Sequence, residues 1–237
     1  MKRLVIVFAS VTAAALAAAA QPAQATNECR GLQICVRVAG PWVVVPGALR
    51  TPRARAEYQL SCPRGFAVGG LDAELSDRAI EVDFLGKLGS PVGPGVTTGR
   101  SAMFGAAYLG ATARAPSFRP HLGCIPAAGG GSGPVPFLRP DATFQPGEPA
   151  VRRVRTVRLH PGTVRAVATC ASGERLVSGW HAIGFYTSAP PSAALIRSAV
   201  GTRTLRGARV EVRVRGGAAL STVRAVVQVG AVCGGGS

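Results

Sequence analysis

The sequence predicts an all-β protein made of two tandem, disulfide-closed, β-sandwich-like modules that follow a signal peptide. Short alternating runs of apolar and polar residues, bounded by glycine and proline, are typical of strands, and helical periodicity is scarce. Two segments of similar length, Cys62 to Cys124 and Cys170 to Cys233, each open and close with a cysteine. The second segment is therefore interpreted as a second copy of the first.

The N-terminal residues predict export. Lys2 and Arg3 precede an apolar or small run from Leu4 to Ala20, and Ala23-Gln24-Ala25 offers a small-residue cleavage site. An uncleaved membrane anchor is the alternative, since the run is marginally long enough to span a thin bilayer. No later stretch approaches a transmembrane helix, so we expect a secreted or cell-envelope protein with no transmembrane span after cleavage.

The cysteines are expected to form disulfides. Six of them, an even number, stand in a chain whose signal peptide predicts an oxidising compartment. Alternate residues of a strand share one face, and counting back from four of the cysteines gives mainly apolar residues. These four should end strands on the buried side: Cys62, Cys124, Cys170 and Cys233.

The paired segments predict which cysteines join. A Cys62–Cys124 bridge and a Cys170–Cys233 bridge would each close a β core and contribute about 4 kcal/mol in the chain-entropy account. Cys29 would then pair with Cys35. The first and last strands of each module could be parallel neighbours or could face each other across two sheets.

Composition predicts the domain boundaries. The stretch between the modules is rich in glycine and proline, which is typical of a linker. Strands at 33–38 and 42–45 should complete the first module, and one at 151–159 the second. The predicted boundaries are 1–25 for the signal peptide, 26–126 for the first module, 127–150 for the linker, 151–233 for the second module and 234–237 for a disordered tail.

One motif resembles a known kind of module. Cys62-Pro63-Arg64-Gly65, followed by Gly69-Gly70 and the closing Cys124, is similar to a tandem module in exported proteins of high-GC actinobacteria. That group has no established activity, so the resemblance implies a repeated extracytoplasmic module and supplies no catalytic residue. The second copy departs from the motif, with Ala171 in place of proline and one more residue before Gly179.

The sequence offers little support for catalysis. A hydrolase needs a nucleophile beside a base, and neither a G-x-S-x-G nor an H-E-x-x-H motif is present. His121 should lie on the outward face of its strand, His160 at a turn, and His181 beside Trp180; each is interpreted as an exposed or turn histidine. No catalytic residue and no cofactor are predicted. The alternatives are an exported hydrolase with a non-standard site, using His181 or the acidic cluster, or a secreted inhibitor.

Two other groups of residues could form a binding site. Of the two tryptophans, Trp42 and Trp180, Trp180 is expected to pack in the core rather than to form a carbohydrate platform. Five carboxylates are interpreted as two solvated strand faces joined by a polar turn at Ser76-Asp77-Arg78, with a calcium site as the alternative. No metal site is predicted. The five are Asp72, Glu74, Asp77, Glu81 and Asp83.

Basic residues suggest a partner. The whole chain carries a net charge of +16, and residues 127–237 hold fourteen arginines against four acidic residues. In the segment 209–215 the valines should face the core, and Arg209, Arg213 and Arg215 the solvent. Such a face could bind an anionic cell-envelope polymer or polysaccharide. Since the strand has no aromatic residue, no specific nucleic-acid recognition is predicted. The alternative is a solvated face in an arginine-biased proteome.

Overall fold

A computed structural model describes residues 26–47, 54–85, 99–110, 115–126 and 151–234. These residues form thirteen strands, one short α-helix and one 3-10 turn, so the fold is all-β as predicted. The predicted signal peptide and linker lie outside the described residues. The last strand includes Gly234, one residue into the predicted tail, and residues 235–237 are not described.

The elements are short and bounded by turns. In chain order they are β1 Val36–Ala39, β2 Trp42–Val44, β3 Arg55–Ser61, β4 Phe66–Leu75, β5 Ile80–Leu85, β6 Ser101–Tyr108, β7 Ser117–Pro126, β8 Val151–Leu159, β9 Gly162–Thr169, β10 Arg175–Tyr186, α1 Ala193–Arg197, β11 Ala199–Arg206, β12 Arg209–Gly216, the 3-10 turn Ala218–Ser221 and β13 Arg224–Gly234.

One central sheet runs through both halves of the chain. Strands β1 and β2 lie end to end along one edge of β7, and β4 lies along its other edge. Strand β2 also pairs with β10, which continues the sheet through β13 to β8. The junction is small, because only Val43 with Gly184 and Trp42 with Phe185 are in register.

Two three-stranded sheets cover the central one. Their orders are β3-β6-β5 and β11-β12-β9. The neighbours of β7 (β4 and β1/β2) correspond in order to those of β13 (β10 and β8). Three antiparallel steps separate β7 from β13, so these two strands run in opposite directions. The second half thus repeats the strand order of the first with its strands reversed. This reversal turns the buried face of the second half to the other side, so the two covering sheets lie on opposite faces of the central sheet.

Side-chain burial agrees with this three-layer arrangement. Trp180 and Ala182 of β10 belong to the first core cluster, with β3 and β6, whereas Phe185 belongs to the second, with β9 and β12. Neighbouring residues of β13 divide in the same way: Val226 joins the first cluster and Val227 the second. Trp180 is buried, as predicted, and Trp42 is buried as well.

The recurring glycine motif has a local cause. Gly65 and Gly173 have φ of 82° and 84°, a left-handed conformation that suits glycine. Each lies in a turn closed by a main-chain hydrogen bond, from Phe66 N in the first half and from Glu174 N in the second. A β-bulge follows in both strands, at Val68/Gly70 in β4 and at Leu176/Ser178 in β10.

Three disulfides join the pairs that the matching cysteine-bounded segments predict. Cys62–Cys124 links the end of β3 to β7, Cys170–Cys233 links the end of β9 to β13, and Cys29–Cys35 closes a local loop. The two long bridges connect strands of facing sheets, which decides between the two arrangements left open above. They fit an oxidising, extracytoplasmic environment. Within the described ranges, no helix has the length and apolar character to cross a membrane.

Candidate functional site

The outer face of the β11-β12-β9 sheet carries the candidate site. Val210, Val212 and Val214 of β12 are fully buried against the central sheet, as predicted. The alternate residues Arg209, Arg213 and Arg215 are exposed on the opposite face. Their placement agrees with the predicted alternation, whereas their role in binding stays a prediction.

The register of the neighbouring strands adds two arginines to this face. Arg206 of β11 lies directly opposite Arg209, and Arg165 of β9 lies directly opposite Arg213. Neither was predicted from the sequence, because alternation within one strand does not reveal which residue of a neighbouring strand lies opposite. We call the resulting surface the arginine face; it consists of Arg165, Arg206, Arg209, Arg213 and Arg215 around Glu211.

Glu211 neutralises one part of the arginine face. Its carboxylate accepts hydrogen bonds from Arg165 Nη2 at 2.7 Å and Arg213 Nε at 2.9 Å. These hydrogen bonds lower the pKa of Glu211 to about 2, so the side chain is charged at neutral pH. Five arginines against one glutamate leave a net charge of +4. Within the described part of the chain, Arg206, Arg209 and Arg215 have no acidic partner.

A depression lies at one end of the arginine face. It has a volume of about 410 Å³ and lies beside the β11–β12 hairpin. Gly207, with φ of 54°, occupies the first position of the two-residue turn, where a left-handed conformation is required. The lining residues are Thr169, Arg206, Gly207, Ala208 and Arg209.

The structure corrects the prediction for His121. Its ring does lie on the outward face of β7, but the residue is only 6% exposed. The reason is the N-terminal segment 26–35, here called the clasp, whose Glu28 packs over Gly70 and Gly123 and covers this face. Covering by a distant segment leaves no trace in the alternation of β7 itself.

His121 lies between two carboxylates. Its Nε2 is 3.1 Å from Glu74 Oε1 and its Nδ1 is 3.9 Å from Glu28 Oε1. Burial lowers the pKa of His121, although Glu74 and Glu28 oppose the shift. Because the clasp seals the ring from solvent, a substrate has no access to it in this conformation.

The other two histidines differ in their exposure. His160 is exposed at its turn, as predicted, and its Nδ1 contacts the carbonyl of Pro161. His181 is half-buried rather than exposed, because it faces Gly201 of the covering sheet. In the described ranges no serine hydroxyl is hydrogen-bonded to a histidine, and all six cysteines are in disulfides.

The acidic residues serve local contacts. The polar turn between β4 and β5 is present, and Asp77 caps it through Ala79 N. Asp72 accepts a hydrogen bond from Asn27 N of the clasp, and Asp83 pairs with Arg55. Asp72, against the clasp, and Glu74, beside His121, are both half-buried, so this part of the β4 face is less solvated than predicted.

One close group of metal-ligating residue types occurs in the described ranges: Cys170, Glu174 and Cys233. Its two sulfurs form a disulfide, so they offer no thiolate to a metal. Glu174 is instead held by Arg153 and by Ala171 N, at 2.8 Å and 2.7 Å from its Oε2. These contacts lower the pKa of Glu174 and fix the turn after Cys170.

Comparison of the chain with protein-family models, with curated proteins and with solved structures found no match in any of the three. The function is therefore inferred from the geometry of the described residues.

Proposed function

We propose that this protein is exported and binds an anionic polymer, such as an acidic polysaccharide or a cell-envelope polymer, without catalysis. It does so through the arginine face. The observation that carries the proposal is five exposed arginines on one side of a three-stranded sheet, with a single carboxylate among them. The two disulfide-closed halves are tandem copies of one β unit, and the face belongs to the second.

The dimensions of the arginine face suit an extended ligand. Residues two apart on a strand are about 6.8 Å apart, so Arg209 and Arg215 are separated by about 20 Å. Neighbouring strands add Arg206 and Arg165 about 5 Å to either side. A polymer lying along β12 would therefore meet several guanidinium groups at once, each able to form paired hydrogen bonds to an anionic group.

The composition of the face argues against recognition by stacking. The outward positions of the three strands carry arginine, threonine, valine and glutamate, and no aromatic side chain. Modules that bind single-stranded nucleic acid combine charge with aromatic platforms. Selection by this face therefore depends on charge and its spacing rather than on base identity.

Retention on immobilised heparin, a polyanion, tests the proposal. We expect a variant with Arg209→Gln, Arg213→Gln and Arg215→Gln to elute at a clearly lower salt concentration than the wild type, because direct contacts are lost. A matched variant with Arg30→Gln, Arg64→Gln and Arg78→Gln removes the same charge from exposed positions of the first half. It should elute close to the wild type. Equal losses in the two variants would mean that net charge alone causes retention.

A further inference from the structure

The row Arg206–Arg209–Thr169 crosses all three strands of the covering sheet. Arg206 pairs with Arg209 and Arg209 pairs with Thr169, so the three side chains point outward at neighbouring positions. Side chains of directly opposed residues are close enough to interact, and two like charges there destabilise a sheet. The row therefore places two arginines and a threonine at neighbouring outward positions, and repulsion between the two arginines destabilises the sheet there.

A second arginine pair on the same sheet shows how such a cost is relieved. Arg165 and Arg213 are also directly opposed, and both bind the carboxylate of Glu211. Arg206 and Arg209 have no carboxylate within ion-pair distance among the described residues. The Arg165–Arg213 pair is thus neutralised in part by Glu211, whereas the charge of the Arg206–Arg209 pair can be neutralised by an anion from solution.

The surroundings of the second pair suit a ligand. The depression of about 410 Å³ is bordered by both arginines, and its volume lies within the range typical of small-molecule sites. Gly207 presents no side chain at the turn, and no atom lies within 4 Å of where its Cβ would be. The depression is therefore open at the turn, and its three polar lining residues, Thr169, Arg206 and Arg209, are exposed.

We propose that the row Arg206–Arg209–Thr169 and its depression bind a tetrahedral oxyanion, a phosphate or sulfate group carried on a larger ligand. Two planar guanidinium forks match the oxygens of such a group, and the threonine hydroxyl supplies a further donor. The inference rests on the proposed function, because this site would fix one charged group of the polymer at the hairpin while the rest lies along β12.

Thermal unfolding with added anions tests the site. Sodium phosphate should raise the Tm of the wild type above its value in sodium chloride of equal ionic strength, because a ligand that binds the folded state stabilises it. Phosphate also stabilises folded proteins in general, because it is excluded from their surface, and the rise in the Arg206→Gln, Arg209→Gln variant measures this general part. The wild type and the matched Arg213→Gln, Arg215→Gln variant should show a larger rise. An equal rise in the wild type and in the Arg206/Arg209 variant would overturn the proposal.

Calorimetric titration separates the two sources of the oxyanion. Glycerol 2-phosphate and a monosaccharide sulfate are the probes, and the tighter binder identifies the group that the site prefers. Either preference supports the site, and binding of neither probe would contradict it. The loss of one arginine should weaken binding at least about tenfold, since a hydrogen bond to a charged group contributes that much or more.

A conservative variant provides a check that does not depend on charge. Arg206→Lys keeps the positive charge but removes the planar fork, so phosphate should bind more weakly while the fold is retained. Unchanged phosphate affinity in this variant would contradict a fork-based site.

Heparin retention then separates the two proposals. If phosphate binding fails but Arg209, Arg213 and Arg215 still govern retention, only the oxyanion site is wrong. If phosphate binds as expected but retention is insensitive to these arginines, the polymer-binding face is wrong.

Discussion

Gln228 ties the first covering sheet to the second half of the chain. Its side chain is buried, and its Oε1 accepts a hydrogen bond from Gln59 N at 2.6 Å. Its Nε2 donates to Gln59 O and to Thr156 Oγ1, each at 3.0 Å. The amide thus pairs with the edge of β3 much as a neighbouring strand would.

Replacing this amide should destabilise the protein. Gln228→Ala leaves a partly buried N–H and C=O of Gln59 without their partner, which costs about 1–3 kcal/mol. Urea unfolding measures the change. The matched control is Gln59→Ala, because Gln59 contributes only its main chain to the contact; it should change stability by less than about 0.5 kcal/mol. Equal effects of the two substitutions would show that the amide pairing is unimportant.

His181 should make stability depend on pH. Burial, with a smaller contribution from Arg203, lowers its pKa below the ordinary value of about 6.5. Between the lowered pKa and 6.5 the unfolded chain binds a proton that the folded protein does not, so stability falls as the pH decreases below 6.5. Urea unfolding at pH 5 to 8 should show a smaller slope for His181→Gln than for the wild type. The exposed-site control His160→Gln should keep the wild-type slope, and an unchanged slope in His181→Gln would contradict the assignment.

The burial of a single residue could be predicted from the sequence where it follows from the alternation of apolar and polar residues within one strand. The buried valines of β12 and the four strand-end cysteines follow from alternation within one strand. The Gln228–Gln59 contact joins residues 169 positions apart, and the Arg206–Arg209 pair depends on the hairpin register. Neither relation is encoded in a local pattern.

At the scale of elements, the clasp explains why β4 and β7 carry glycines. A Cβ on Gly70 or Gly123 would overlap the main-chain carbonyl of Glu28. The Cys29–Cys35 disulfide shapes the clasp, and the hydrogen bond from Asn27 N to Asp72 fixes it to β4. The glycine pair of the first motif therefore also makes room for the clasp, which was not predicted from the sequence.

A side chain at Gly123 should loosen the clasp. Gly123→Ala places a methyl group against Glu28 and Cys35, and overpacking of this kind costs about 1–3 kcal/mol. Amide hydrogen exchange should then speed up at residues 27–32 more than in β12. Gly47→Ala is the matched control, because nothing lies within 4 Å of its added methyl group. Unchanged exchange in the clasp of Gly123→Ala would mean that the segment is not held by this contact.

At the scale of the whole molecule, the two halves share a sheet and part of a core. Trp180 of the second half lies in the first core cluster, and its ring covers Gly230 so closely that a Cβ there would overlap it. The sequence predicted the all-β character and the disulfide that closes each half. It did not predict the shared sheet, because a strand buried on both faces, such as β13, reads as an apolar run in either arrangement.

The shared sheet predicts joint unfolding. Scanning calorimetry should show one transition in which the calorimetric and van't Hoff enthalpies agree, as expected for a single cooperative unit. Gln228→Ala should lower the Tm of that transition without splitting it. Two resolved transitions in the wild type would show that the halves are independent modules joined only by the chain.

The most direct test of the arginine face is a map of the arginine side chains with a polyanion present. Nε–Hε signals of the ¹⁵N-labelled protein, assigned by single Arg→Gln variants, would be followed as heparin oligosaccharide is added. We expect the largest shifts at Arg206, Arg209 and Arg215, smaller ones at the Glu211-paired Arg165 and Arg213, and little change at Arg30, Arg64 and Arg78. Comparable shifts across both halves of the chain, or shifts confined to the first half, would contradict it.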